Sequence, residues 1–107
     1  MTLTLDKVFS SKGKAKILQI LAEEHELNIF ELIRKSSLNH NTTVGHLKDL
    51  VNLGFIEEKT FGKIRIYRYR IENPNAKALK HLLEFWKEET DTSEYHSIEE
   101  FFIELDQ

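Results

Sequence analysis

Apolar residues recur at intervals of three and four along most of the chain, which is the spacing of an amphipathic helix. After a short apolar lead within residues 1–10, the pattern predicts a helix from about Lys12 or Lys14 to Glu24 and a second one over 29–37. Further helices are predicted within 38–54, from Pro74 to about Glu89, and from Ser97 to the end. Residues 25–28 lack this pattern and are predicted as a connection. Between the third and fourth helices the period changes to two, which is typical of β-strands.

The most informative segment is residues 38–54, LNHNTTVGHLKDLVNLG. Asn39 or Asn41 can cap a helix by accepting backbone N–H bonds, and Gly54 can end it. The inward stripe is then Thr43 or Val44, Leu47, Leu50 and Val51. Polar residues and one glycine are predicted to face outward: His40, Asn41, Thr42, Gly45, His46, Lys48, Asp49 and Asn52. Amides, hydroxyls, imidazoles and ammonium groups are those that bind base edges and phosphates.

Residues 55–71 predict a β-hairpin with a basic second strand. FIEEKT forms the first strand, Phe61-Gly62-Lys63 the turn and IRIYRYRI the returning strand. Apolar and basic positions exchange faces midway along the second strand. We therefore expect either a bulge or a tip that projects beyond the body of the protein.

Composition limits the possibilities without deciding the function. A chain of 107 residues fits one domain, it contains no cysteine, and no apolar run reaches the length of a membrane span. We therefore expect a soluble, cytoplasmic protein without a membrane partner. The net charge of −3 is unevenly distributed, because residues 34–70 carry +5 and residues 84–107 carry −8. Such polarity allows a polyanion to bind one side of an acidic protein.

Enzymatic signatures are lacking in the sequence. The four glycines form no phosphate-binding loop, and no serine or cysteine nucleophile lies in a recognisable motif. The protein is expected to be no enzyme and to need no cofactor.

Three segments resemble the ArsR/MarR-type transcriptional regulators: KILQILAEE their first core helix, LNHNTTVGHLKDLVNLGFIEE their recognition helix and its exit, and KTFGKIRIYRYRI their wing. The resemblance implies an α+β, mostly α fold, namely a winged helix-turn-helix with a two-stranded β-hairpin wing and additional C-terminal helices. It implies one domain over residues 1–107, with the helix-turn-helix and wing at 12–71. The extensions at 1–10 and 75–107 would serve dimerisation.

The same resemblance implies a homodimer on double-stranded DNA, with the recognition helix in the major groove and the wing on the backbone or minor groove. The residues it assigns to DNA are His40, Asn41, Thr42, His46, Lys48, Lys59, Lys63, Arg65 and Arg68. The terminal helices supply more aromatic residues than a small core needs, and such a stripe usually marks an interface. The predicted dimer interface comprises Leu5, Phe9, Trp86, Phe101, Phe102 and Leu105.

Alternatives stay open at this point. Metal-sensing members of the family use cysteines or paired histidine and carboxylate ligands. Glu94, His96 and Glu99, with His81, could imitate the second kind, but Ser97 matches a helix cap that interrupts the spacing, so no metal is expected. A winged helix can also be a protein-interaction module, here with an acidic, aromatic C-terminal arm, or a sequence-tolerant architectural DNA binder.

Overall fold

The computed structural model describes residues 4–89, and describes side chains for residues 6–85. The elements in chain order are α1 (Thr4–Val8), α2 (Lys12–Glu24), β1 (Glu26–Asn28), α3 (Ile29–Ser36), α4 (His40–Leu53), β2 (Ile56–Phe61), β3 (Ile64–Tyr69) and α5 (Pro74–Glu89). No helix within this part of the chain is long and apolar enough to cross a membrane. The mostly helical fold with a hairpin wing confirms the predicted fold class.

Polar side chains fix the helix starts. Ser11 Oγ accepts from the Lys14 amide, and Asn39 Oδ1 accepts from the Thr42 amide at 2.8 Å. Asn28 forms a capping box with Glu31, in which each side chain accepts from the other residue's backbone N–H. These residues satisfy donors that a helix N-terminus leaves free, and the cap at Asn39 resolves the choice between Asn39 and Asn41.

The sheet has one strand more than expected. Its order is β1-β3-β2, antiparallel throughout, and Leu27 of β1 lies opposite Tyr67 of β3. Residues 25–28, predicted as a connection, therefore form the third strand in part. The prediction was wrong here because three residues are too few to show a period, and their conformation depends on pairing with β3.

The wing hairpin is regular from Ile56↔Tyr69 to Phe61↔Ile64, so the expected bulge is absent and the projecting tip is present. A two-residue turn joins its strands. Gly62 has a φ of 64° and Lys63 has no positive φ, which is the pattern of a type II′ turn with glycine in its first position. Residues 58–65 are all exposed.

One core joins the helices to the inner face of the sheet. It is built from fully buried residues of several elements: Val8, Leu18, Leu21, Leu32, Leu47, Leu50, Phe55, Ile56, Tyr67 and Tyr69. The tyrosines of β3, Tyr67 and Tyr69, thus form the base of the wing. Burial raises the pKa of both phenols, and the Tyr69 hydroxyl donates to the carbonyl of Ala76.

Helix α5 is attached to the exit of α4. Gly54 ends α4 in the left-handed conformation, with φ 87°, and its carbonyl accepts from Asn73 Nδ2 at 2.8 Å. Asn73 also caps α5 through the Asn75 and Ala76 amides. Ala76 and Leu79 are buried and Leu83 packs against the core, whereas Leu82 is 48% exposed. Among the residues whose side chains are described, α5 therefore contacts the core from Ala76 to Leu83.

Candidate nucleic-acid interface

Helices α3 and α4 are joined by three residues and form a tight helix-turn-helix. Ser37 adopts the left-handed conformation, with φ 61°, at the end of α3. The buried Ser36 hydroxyl donates to the Ile33 carbonyl and accepts from the Leu38 amide. Because the turn satisfies its own polar groups, the start of α4 is held firmly at the surface.

The faces of α4 follow from its contacts. Thr43, Leu47 and Leu50 are buried in the core, and the Thr43 hydroxyl donates to the Asn39 carbonyl at 2.8 Å. The opposite side presents four exposed residues at intervals of four, three and four, which we call the outer stripe: Asn41, Gly45, Lys48 and Asn52. His40 and Thr42 are exposed at the helix start. The structure thus brings four of the predicted DNA contacts onto the accessible side of one helix, namely His40, Asn41, Thr42 and Lys48.

Gly45 lies in the middle of the outer stripe. A methyl group built on it would have no other atom within 4 Å. Glycine inside a helix costs about 1 kcal/mol relative to alanine, and here neither a positive φ nor a close contact within the described residues requires it. The backbone of α4 is therefore accessible to a binding partner at this position.

His46 faces a different way from the sequence prediction. Its side chain is half-buried against the start of α2, where Nε2 lies 3.4 Å from Ser11 Oγ. A Cβ at Gly13 would come within 2.8 Å of that nitrogen, so Gly13 makes room for the ring. Helical spacing alone placed His46 outside because the space for it comes from α2, more than thirty residues away.

Burial lowers the pKa of His46 by disfavouring the imidazolium, and the nearby Lys14 ammonium lowers it further, while Asp49 partly opposes both effects. Lys14 is itself a residue that the sequence analysis missed. Its side chain is 11% exposed, and its Nζ lies 3.1 Å from Asp49 Oδ2 and 3.4 Å from the carbonyl of Lys7. These contacts fasten the side of α4 beside the outer stripe to α2.

The wing divides into a paired base and a cationic tip. Lys63 in the turn and Arg65 at the start of β3 are exposed. Lys59 is exposed as well, but its Nζ lies 3.7 Å from Glu57 and 3.9 Å from Glu26, so carboxylates partly neutralise it. Of the predicted wing contacts, Lys63 and Arg65 carry the least compensated charge.

Arg68 lies at the paired base. Its guanidinium makes two hydrogen bonds to Glu72, at 3.2 and 2.9 Å, and another to Glu57. Hydrogen bonding to Arg68 lowers the pKa of Glu72 to about 2 and also lowers that of Glu57. The family resemblance assigned Arg68 to DNA. The two carboxylates that bind it lie eleven residues before and four residues after it, and they come together with it only in the folded sheet.

Few of the predicted dimer residues lie where their side chains are described. Phe9 is half-buried and packs against the core. The side chains of Leu5 and Trp86 and the whole of Phe101, Phe102 and Leu105 lie outside the described residues. Leu82 and Phe85, which were not predicted as interface residues, are 48% and 61% exposed on α5.

The alternative metal site is only partly visible. His81 is exposed on α5, whereas Glu94, His96 and Glu99 lie outside the described residues. Within residues 6–85, whose side chains the structure describes, no three histidine or acidic side chains are grouped as metal ligands would be.

Comparison with solved structures finds the same fold in several proteins, some of which are described as transcriptional regulators. The AntR antimony-specific transcriptional repressor matches with a TM-score of 0.67 and 19% identity, over 83% of this chain and 78% of that one. HlyU from Vibrio cholerae N16961 matches with a TM-score of 0.66 and 24% identity, over 75% and 84%.

A third similar structure is the homodimeric winged helix-turn-helix DNA-binding domain of a possible ArsR-family transcriptional regulator from Mycobacterium bovis. Its TM-score is 0.65 and its identity 20%, over 88% of this chain and 84% of that one. No protein-family model and no curated protein sequence matches the chain. At such low identity the likeness establishes the architecture, and the chain has the winged helix-turn-helix fold of ArsR-like regulators.

Proposed function

We propose that the protein is a sequence-specific transcriptional regulator that binds double-stranded DNA as a homodimer. In this proposal the outer stripe of α4 enters the major groove, and the wing tip reaches the adjacent backbone or minor groove. The proposal includes a cytoplasmic location, where the DNA of a bacterial cell lies, and no catalytic activity.

The observation that carries the proposal is the outer stripe itself. Asn41 and Asn52 offer amide groups, Lys48 an ammonium group, and Gly45 an open backbone between them. Asparagine can make two hydrogen bonds to adenine, and lysine can bind guanine or phosphate. A helix that only covered the core would be expected to carry strong helix formers on its solvent side, whereas Asn41, Gly45 and Asn52 are weak ones.

The wing supports the proposal through charge. Residues 59–71 contain five basic residues and no acidic one. Ion pairs occupy Arg68 and partly occupy Lys59, so Lys63 and Arg65 are assigned to phosphates. His46 is assigned a positioning role, because its ring packs between α4 and α2. His40 and Thr42 remain proposed contacts at the exposed start of α4.

Selection of bound sequences from random duplex DNA tests sequence specificity. Asn41→Ala should change the preferred bases, while Asn75→Ala, an exposed asparagine on α5, should leave them unchanged. Enrichment of the same sequences by wild type and Asn41→Ala would refute direct readout by this helix.

Salt dependence tests the electrostatic part. With several phosphate contacts, affinity should fall by orders of magnitude between roughly 50 and 200 mM salt. Lys63→Ala and Arg65→Ala should weaken binding to every duplex alike, each lowering the salt slope by about one. Lys77→Ala on α5 is the matched control and should bind as wild type.

A second candidate function is that of a protein-interaction module, which the exposed Leu82 and Phe85 favour. A solution mass measurement separates the two uses of this surface. Under the regulator proposal the protein is a dimer and binds DNA, whereas a monomer without salt-dependent DNA binding would favour the interaction module.

A further inference from the structure

The wing ends in an apolar pair. Phe61 and Ile64 are the last partners of the hairpin register, and residues directly opposite each other in an antiparallel pair lie on the same face. Tyr67 and Tyr69 lie on the other face, in the core, because strand residues alternate. The pair therefore lies on the outer face of the wing, at its far end.

Both side chains are more exposed than hairpin stability would require. Phe61 is 77% and Ile64 42% accessible to solvent, and Ile66 beside them is half-buried. A cross-strand pair of an aromatic and a β-branched residue can stabilise a hairpin, but a ring that is mostly in water contributes little in this way. Phe61 thus keeps most of its apolar surface, and Ile64 less than half of its own, for another partner.

Cations flank this apolar tip along the chain. Lys63 occupies the turn between Phe61 and Ile64, and Arg65 follows directly, on the opposite face of β3. The next acidic residues in sequence are Glu58 before the tip and Glu72 after it, and Glu72 is bound to Arg68 at the base. The apolar tip and its neighbouring cations complement a partner that offers apolar surface between two rows of negative charge. The minor groove of duplex DNA, with its sugar walls and stacked bases between phosphates, is such a partner.

We propose that Phe61 and Ile64 form an apolar wedge that enters the minor groove of the bound duplex and partly unstacks one base step, while Lys63 and Arg65 bind the flanking phosphates. This proposal rests on the DNA-binding function proposed above. Proteins that insert phenylalanine or isoleucine between base steps compensate the cost of unstacking by apolar burial and by closer backbone contact. The wedge should therefore favour a flexible pyrimidine–purine step beneath the tip.

Two substitutions test the wedge without removing charge or strand propensity, namely Phe61→Thr and Ile64→Thr. Phe30→Thr is the matched control, since Phe30 is a similarly exposed phenylalanine on α3. The probe is a duplex enriched by the wild-type protein from random DNA, with 2-aminopurine placed in turn at each step beneath the wing. Circular dichroism and thermal unfolding verify that each variant is folded.

The wild-type protein should raise 2-aminopurine fluorescence at one step. Phe61→Thr and Ile64→Thr should each lose about tenfold in affinity, abolish the fluorescence change and keep the wild-type salt slope. Phe30→Thr should match wild type in all three measurements.

The outcomes separate the wedge from the function on which it rests. If wild type binds duplex DNA with a steep salt dependence but both threonine variants bind equally well, only the wedge is refuted. It is equally refuted if wild type binds without any fluorescence change, because no base step is then unstacked. If wild type binds no duplex, the regulator function fails, and the wedge fails with it.

Discussion

The Nζ of Lys14 lies 3.1 Å from Oδ2 of Asp49, so a nearly buried ammonium on α2 holds the middle of α4. Asp49→Asn should lower the free energy of unfolding by about 1 kcal/mol, because it leaves Lys14 with only the Lys7 carbonyl. Denaturant unfolding measures the loss.

A double-mutant cycle with Lys14→Met isolates the pair. Once the ammonium is gone, Asp49→Asn should cost little, so the two effects should not add. Additive losses would show that Asp49 stabilises the protein through some other contact.

Gly45→Ala should have opposite effects on stability and binding. Alanine should raise the free energy of unfolding by about 1 kcal/mol, because it is the better helix former and meets open space. The added methyl group should weaken DNA binding, because it keeps the duplex away from the helix backbone. Thermal unfolding and a duplex titration measure the two effects. A variant that is more stable and binds as tightly as wild type would show that nothing approaches the helix at this position.

His46 should make stability depend on pH. Its pKa in the folded protein is below the ordinary value of 6.5, so the unfolded chain takes up its proton more readily as the pH falls. The contribution of neutral His46 to stability is complete above about pH 6.5, and it is lost as the pH falls through the pKa of His46 in the folded protein.

Unfolding of wild type and His46→Gln between pH 7.5 and 5 measures this contribution. The wild-type protein should lose more stability over that range, and the other histidines cancel in the comparison. Parallel curves would mean that the packed ring titrates as it does in the unfolded chain.

Arg68→Gln should lower stability at neutral pH, and the loss should shrink in acid. The lowered pKa values of Glu72, about 2, and Glu57 mean that these carboxylates stabilise the folded state above about pH 4.5. That stabilisation disappears as the pH falls toward 2. The difference in unfolding free energy between variant and wild type, followed from pH 7 to 3, should therefore narrow below pH 4.5. A constant difference would assign the effect to packing of the arginine stem.

The same variant decides whether Arg68 meets DNA. Because its guanidinium is already held by Glu57 and Glu72, Arg68→Gln should leave the salt slope of DNA binding unchanged. Arg65→Gln should lower the slope by about one. Equal decreases for the two variants would restore Arg68 to the phosphate contacts.

Local signals in the sequence were sufficient for most of the fold. The candidate caps Asn39 and Asn41 and the end at Gly54 located α4 to within two residues, and the alternation of β3 located the wing. Features that depend on distant partners could not be predicted. β1 is a strand only because β3 lies beside it, and His46 turns inward only because Gly13 leaves room.

The candidate site could likewise be predicted where it depends on helical spacing, and not where it depends on distant partners. Helical spacing identified Asn41 and Lys48 on the accessible side of α4, where the structure places them. It could not identify Lys14, whose ammonium matters because of a carboxylate on another helix. A count of basic residues also could not distinguish Lys63 and Arg65 at the wing tip from Arg68 at its base, whose charge is paired with carboxylates.

β1 has a mechanical consequence. It runs directly into α3 and is hydrogen-bonded to β3. The backbone of β1 therefore connects the first helix of the helix-turn-helix to the wing. A shift of that helix must carry the hairpin along with it. In a dimer of the proposed kind, a signal would then change the distance between the DNA-binding surfaces of the two subunits. The angle between the helix-turn-helix and the wing within each subunit would stay the same.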